Sequence, residues 1–515
     1  MPDTKNSKTN LTTACIIAAG ILLFALGHAL GILRFFIFTF VFIAGTVYYI
    51  YRQKTDIKNK RFILTVFIFA LSIRMFFSLG AHFYSLRHNL NGFNYAYIYA
   101  KANDEITYDR TGKLIVDAFN NNPLFFLNKD ESLPIIVKNV HVGYNLFIAA
   151  LYYLCGSGML YAKLINSLLG ALIVVYVYLI GLYFFGKNPA KLAAILVAAD
   201  SYAVLYSSYL YKEIFLAFLT TSAIWNYLLY LKEGRKISLF WCILSALISL
   251  ITRLYLGAAI FFALFAYILI FHVPKDPVKK FLYVFLILAV ASPLIYVGGQ
   301  FAYTTIAGGG FRSRALRSVA SAKGGSDESA NLREAFSVKR LALNTLRMFL
   351  SPMPWRNLDG SKEIMFYWGY PGRWLWYVFM PFFFYGLYYL LRHYFRFIFV
   401  PALSCAAYLF ICSLVMMSGE RHHIAVMPFL FLTAAVGFCT IRNPVLPMLF
   451  YMPFLCAFYC YDMQKTEQFV FSFCLLGLIY LYYVIRKFKN EIGAESFLSF
   501  LKADNILENE VTENA

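Results

Sequence analysis

The stretch His141-Val-Gly-Tyr-Asn-Leu-Phe-Ile-Ala-Ala-Leu-Tyr-Tyr-Leu-Cys-Gly156 decides how this chain is threaded. It is apolar enough for a bilayer but short of the roughly 20 residues that a spanning helix needs. If it lies on the membrane surface, seven basic clusters share one side. These are Arg52/Lys54/Lys58/Lys60/Arg61, Lys187/Lys191, Lys232/Arg235/Lys236, Lys275/Lys279/Lys280, Arg392/Arg396, Arg442 and Arg486/Lys487/Lys489. If it crosses, every cluster after the first moves to the opposite side. Basic residues in short loops favour the cytoplasm, so the segment reads as an interfacial helix on the outer face, with both chain termini inside.

Working outward, the rest of the chain reads as membrane helices. Hydrophobic residues make up 61% and charged residues 14% of it, far from soluble averages. Spans are predicted near 12–31, 33–51, 62–80, 160–185, 189–206, 214–231, 237–252, 254–272, 281–297, 374–391, 394–416, 424–440, 444–461 and 467–486. The expected fold class is all-α, a polytopic transmembrane protein of about 14 helices with extracytoplasmic juxtamembrane helices. Lys5 and Lys8 before the first apolar run resemble a signal peptide; the second run that follows at once favours an uncleaved anchor. Aromatics at 19% suit interfacial belts. The nine cysteines show no CxxC or Cys/His spacing and read as packing residues. The net charge of +20 is read as loop retention and contact with anionic lipid rather than nucleic-acid binding.

Two polar interruptions remain, near 81–140 and 298–373, and both are expected outside. The cytoplasmic loops are too short for a nucleotide-binding domain, and no P-loop or GxGxxG is present. The first interruption carries Asn103-Asp104-Glu105-Ile106-Thr107-Tyr108-Asp109. Adjacent carboxylates at a membrane surface suit a general base, because desolvation and a neighbouring like charge both raise a carboxyl pKa; a solvated acidic turn is the plain alternative. Asp130 and Glu131 read as turn residues. The second interruption is basic and glycine-containing: Gly308-Gly309-Gly310, then Arg312, Arg314 and Arg317, then Gly324-Gly325, a helix start at Asn331 with Glu334, and Arg347 and Arg356 beyond. An outward loop this basic points to an anionic partner such as a lipid phosphate, against the bland reading of contact with headgroups. Lys212-Glu213, Arg253 and Arg421-His422-His423 are expected on the same face, where charges at helix ends also simply snorkel. The histidine pair is not read as a metal site, since neighbours on a helix point apart.

These motifs together resemble polyprenyl-phosphate-dependent glycosyltransferases of the GT-C type, the group that includes protein O-mannosyltransferases and lipid A aminoarabinose transferases. The resemblance covers 62–445 and rests on Asp104 with Tyr108, on His141-Val-Gly-Tyr144 leading through Leu151-Tyr152 to Asn166, on Lys212-Glu213, and on Arg421 with Pro428. It implies a module at 62–445 with outward loops 81–159 and 298–373, preceded by an extra hairpin at 1–61 and followed by helices and a tail at 446–515. It implies transfer of a sugar from a polyprenyl-phosphate carrier to an acceptor hydroxyl of a glycan, lipid or protein, with inversion. Asp104 would be the base, Glu105 its neighbour or substitute, and Lys212, Glu213, Arg253, Arg347, Arg356, Arg421 and His422 would bind phosphate or sugar. No cofactor is implied. The location implied is a cytoplasmic (inner) membrane with the site on its outer side. A polysaccharide polymerase or ligase, or a transporter of lipid-linked glycans, are the competing readings. The Pro-Pro pair common before the interfacial helix is missing, as is a large C-terminal soluble domain.

Overall fold

A computed structural model of the chain describes residues 33–53, 56–87, 104–122, 142–271, 348, 369–414 and 420–441. The spans expected near 12–31, 281–297, 444–461 and 467–486, the basic loop residues 308–340, Arg347 and Arg356 lie outside them. The described residues are helical, with no strand among them. In chain order the helices are α1 (Leu33–Arg52), α2 (Ile57–Arg87), α3 (Asp104–Asn121), α4 (Val142–Cys155), α5 (Met159–Phe184), α6 (Lys187–Ala199), α7 (Ser201–Ser207), α8 (Lys212–Glu233), α9 (Lys236–Thr252), α10 (Leu254–Phe271), α11 (Tyr370–His393), α12 (Phe395–Leu414) and α13 (Met427–Thr440), with a 3-10 turn at Glu420–Ala425 before α13.

Seven of these helices are long and apolar enough to cross a bilayer: α1, α2, α5, α8, α10, α11 and α12. The protein is a multi-pass membrane protein. The helix α4 is among the shorter apolar helices, in keeping with the short segment at 141–156. Expected as one span, 189–206 is instead broken into α6 and α7, bent by 53°. The reason lies at Asp200, whose Oδ1 accepts the Tyr202 N–H at 3.0 Å. A carboxylate that caps a new helix start competes with continuation of the old one. The helix expected at 424–440 begins later, because Glu420–Ala425 is wound as a 3-10 turn.

The chain divides into two compact units. The first holds residues up to Leu172 together with Val204–Lys212. Within it, α3 is an amphipathic helix in what the sequence presents as a polar interruption. Glu105, Tyr108, Thr111, Gly112 and Ile115 form its buried face at helical spacing. That face packs on α4, and Gly112 permits the approach: a Cβ there would sit 2.7 Å from Ile148 Cγ2. Ile115 and Ala149 form a small core with Phe119 and Leu146 around it. Burying side chains of this size stabilises by roughly 1.5–3 kcal/mol each. Gly156, at φ 93°, closes α4, with its N–H on the Tyr152 carbonyl at 2.9 Å.

The second unit holds Ile173–Ala203 and the chain from Glu213 onward. Among its described residues α11 and α13 cross closely, where Gly386 and Gly437 face each other. A Cβ on Gly386 would lie 2.1 Å from the Thr433 carbonyl oxygen, and one on Gly437 2.0 Å from that of Phe382. Small residues at such contacts let backbones close where lipid supplies no hydrophobic drive. The α9–α10 hairpin is equally tight, since a Cβ on Gly257 would meet the Leu250 backbone at 2.3 Å, and its corner residue is Arg253.

Candidate functional site

Polar side chains that the sequence scatters along the chain gather into two clusters, one within each unit. In the first unit, α3 begins at Asp104, and its acidic first turn sits where the helix dipole favours negative charge. Asp104 is partly exposed and Glu105 is fully buried. Glu105 Oε1 lies 2.5 Å from Lys163 Nζ of α5, itself fully buried, and accepts the Leu210 N–H at 3.4 Å. Burial raises the Glu105 carboxyl above its ordinary range, with Lys163 and the Leu210 N–H opposing that shift.

One turn further, Tyr108 receives Lys212 Nζ on its hydroxyl at 2.7 Å and meets Tyr144 of α4 edge to face at 4.9 Å. Asn166 of α5 donates to the Tyr144 hydroxyl at 3.2 Å and to the carbonyls of Tyr209 and Tyr211 at 3.0 Å each. The residue after Tyr108 on α3 is Asp109, which pairs with Lys113 at 2.8 Å and accepts the Tyr152 hydroxyl at 2.6 Å. Burial and that bond hold the Tyr152 hydroxyl well above its usual pKa. Beneath this, Ser78 and Ser167 share a hydrogen bond at 2.7 Å, and Gly170 leaves room for the Arg74 side chain, which a Cβ would meet at 2.8 Å.

In the second unit, Glu213, Arg253, Arg421 and His422 come together. Arg253 Nη2 is 3.3 Å and Arg421 Nε 3.8 Å from Glu213 Oε1. Glu213 and Arg253 are buried while Arg421 is 28% exposed, so the second guanidinium is the accessible one. Arg253 Nη1 contacts His422 Nδ1 at 2.8 Å and donates to the Tyr408 hydroxyl at 3.1 Å. His423 turns the other way, with Nε2 against the Met348 carbonyl and Nδ1 3.3 Å from Met427 Sδ. Burial pushes the His423 imidazole down to about 4, with the Met348 carbonyl opposing. Two cations around one carboxylate, one of them reaching solvent, form an arrangement suited to an anionic group.

Of the residues expected at the site, Asp104, Glu105 and Lys212 thus fall in the first cluster, and Glu213, Arg253, Arg421 and His422 in the second. Sequence reading missed Lys163 as a site residue, because it sits near the end of an apolar helix where charges commonly snorkel. The available signal was spacing: Lys163, Asn166, Ser167 and Gly170 recur on one face of α5, and an ion inside an apolar helix needs a partner. Tyr408 gave no such signal. Among the described residues, no group of three or more His, Cys, Asp or Glu is placed to hold a metal.

Residues 142–297 match the family model described as dolichyl-phosphate-mannose-protein mannosyltransferase. The matched segment includes α4, α5, α8 and the α9–α10 hairpin, and so carries Lys163, Lys212, Glu213 and Arg253. No curated protein and no solved structure matches the chain. The match supports a membrane glycosyltransferase of the GT-C type.

Proposed function

We propose that this protein transfers a sugar from a polyprenyl-phosphate carrier to an acceptor hydroxyl on the extracytoplasmic face of the membrane, with inversion at the anomeric carbon. The observation that carries the reading is the contrast in burial and pairing between two adjacent carboxylates. Glu105 is sealed into an ion pair with Lys163, whereas Asp104 stands partly exposed on the same helix turn. Asp104 is the general base; Glu105 serves the structure rather than the proton transfer.

In the reaction, the acceptor oxygen attacks the anomeric carbon as its proton passes to an Asp104 carboxylate oxygen. The bond between that carbon and the phosphate oxygen breaks with its electron pair, leaving polyprenyl phosphate. The charge that accumulates on this leaving group is the main feature for a protein to stabilise. Arg253 and Arg421, oriented by Glu213 and His422, supply the cations, with Arg347 and Arg356 as further phosphate ligands. Lys212 bonds the hydroxyl of Tyr108, which lies one turn of α3 from Asp104, and serves the sugar.

The test uses the full chain in lipid nanodiscs, a panel of radiolabelled polyprenyl-phosphate monosaccharides, and membranes of the native host as acceptor. Release of free polyprenyl phosphate coupled to label in the acceptor is expected, and its loss in Asp104→Asn by a factor of at least about a hundred, the upper range for a general base being about 10⁴. Full activity in that variant removes Asp104 from the base role. Passage of the intact labelled lipid across the bilayer of proteoliposomes without cleavage replaces the enzyme with a transporter.

A further inference from the structure

The reading of Asp104 as base leaves open what holds its carboxylate in place. Asp104 is the first residue of α3, and helix ends fray unless tied down. Contacts at Glu105 and Tyr108 tie this one. Glu105, the next residue, is fixed by Lys163 at 2.5 Å with both groups fully buried. The Leu210 N–H, from a separate segment of the same unit, reaches the same Glu105 oxygen at 3.4 Å. Tyr108, one turn on, is pinned by Lys212 at 2.7 Å and by the Tyr144 ring. Of these, Lys163 and the Leu210 N–H both act on the residue next to Asp104, and Lys163 is the one that carries a charge. It is also the one whose energetic character is least expected of a purely structural element: a buried ion pair returns little net stability over an apolar replacement, but it fixes geometry.

We infer that Lys163, on the membrane helix α5, is a positioning residue for the transfer reaction, which holds Glu105 and through it sets where the Asp104 carboxylate stands. Lys163 does not touch the acceptor. Its ammonium is fully buried beneath α3, and its reach is to Glu105. Without the pair, the first turn of α3 keeps the Tyr108 anchor and the Leu210 N–H but loses its buried ionic tie. A displacement of about 1 Å between a base and its proton is enough to cost about a hundredfold in rate.

The experiment compares Lys163→Met with Glu105→Gln, singly and together, in the nanodisc transfer assay. The double variant is the informative one, because it removes both charges and leaves neither buried alone. The expected result is a folded protein, judged by monodisperse chromatography, with kcat lowered ten- to a hundredfold and KM for the carrier unchanged. Adding Asp104→Asn should then cause no further loss beyond that of Asp104→Asn alone, since positioning a base matters only while the base is present. Wild-type kcat in the folded double variant overturns the inference, as does a rise in carrier KM at constant kcat. Should the double variant fail to assemble, Lys163→Arg decides. It keeps the charge but lengthens the reach, so a lowered kcat at unchanged melting temperature supports positioning and an unchanged kcat overturns it. If Asp104→Asn is fully active, the base reading itself has failed, whatever Lys163 does.

Discussion

His422 Nδ1 stands 2.8 Å from Arg253 Nη1, so this imidazole faces a group that only donates. Its Nδ1 must accept, which fixes the neutral tautomer with the proton on Nε2. The pair orients the guanidinium that also meets Glu213.

His422→Asn keeps an acceptor near the Nδ1 position and His422→Ala does not. We expect His422→Ala to raise the KM for the carrier about ten- to a hundredfold, about 1.4–2.7 kcal/mol for one lost hydrogen bond to a charged donor. His422→Asn should stay within about twofold of the parent. Steady-state kinetics against carrier concentration reads both; equal effects from the two variants exclude the acceptor role.

The buried His423 imidazole predicts acid sensitivity. Its pKa falls to about 4 in the folded protein, against about 6.5 unfolded. Between these values the folded state binds fewer protons than the unfolded one, so stability is present above about pH 6.5 and is lost as the pH drops towards 4. The slope from this one group is at most about 1.4 kcal/mol per pH unit. Melting temperatures in detergent across that range should fall less steeply for His423→Gln, which donates without titrating. An unaltered slope assigns the acid loss to other groups.

The α11–α13 crossing predicts a sharp contrast among glycines. Gly386→Ala or Gly437→Ala drives a Cβ into a carbonyl oxygen, and backbone cannot yield as a flexible side chain does. Overpacking of this sort costs about 1–3 kcal/mol. Gly45 and Gly80 have nothing within 4 Å of a new Cβ, so alanine there should leave stability unchanged or raise it by up to about 1 kcal/mol. Thermal unfolding of the four single variants measures this; equal shifts refute it.

At the break between α6 and α7, Asp200→Asn retains a capping oxygen and Asp200→Ala loses it. The alanine variant should lose about 1 kcal/mol relative to asparagine, seen as a lower melting temperature. If the two variants melt together, the Asp200–Tyr202 bond does not hold the bend.

Much of the architecture was legible in the chain as written, because a bilayer imposes a length on apolar runs that few other constraints rival. The helices α2, α5, α8, α10, α11 and α12 fall where those runs lie, and α4 is short because its run is short. Helix α3 escaped that reading since it is polar overall, yet Glu105, Tyr108 and Ile115 carry helical spacing and Asp104-Glu105 an acidic first turn. Pairings distant in sequence were beyond reach: nothing local to Gly386 announces Gly437, and nothing local to Glu105 announces Lys163. The candidate clusters gathered residues that composition alone had marked as costly in a membrane, which is why their identities were accessible when their partners were not.

The Glu105–Lys163 pair also bears on how the protein is made. The ribosome produces α3 before α5, so Glu105 has left the tunnel when Lys163 enters the membrane machinery. A lysine within an apolar helix resists insertion when it is alone. Here the order of synthesis provides the counter-ion ahead of the cation that requires it.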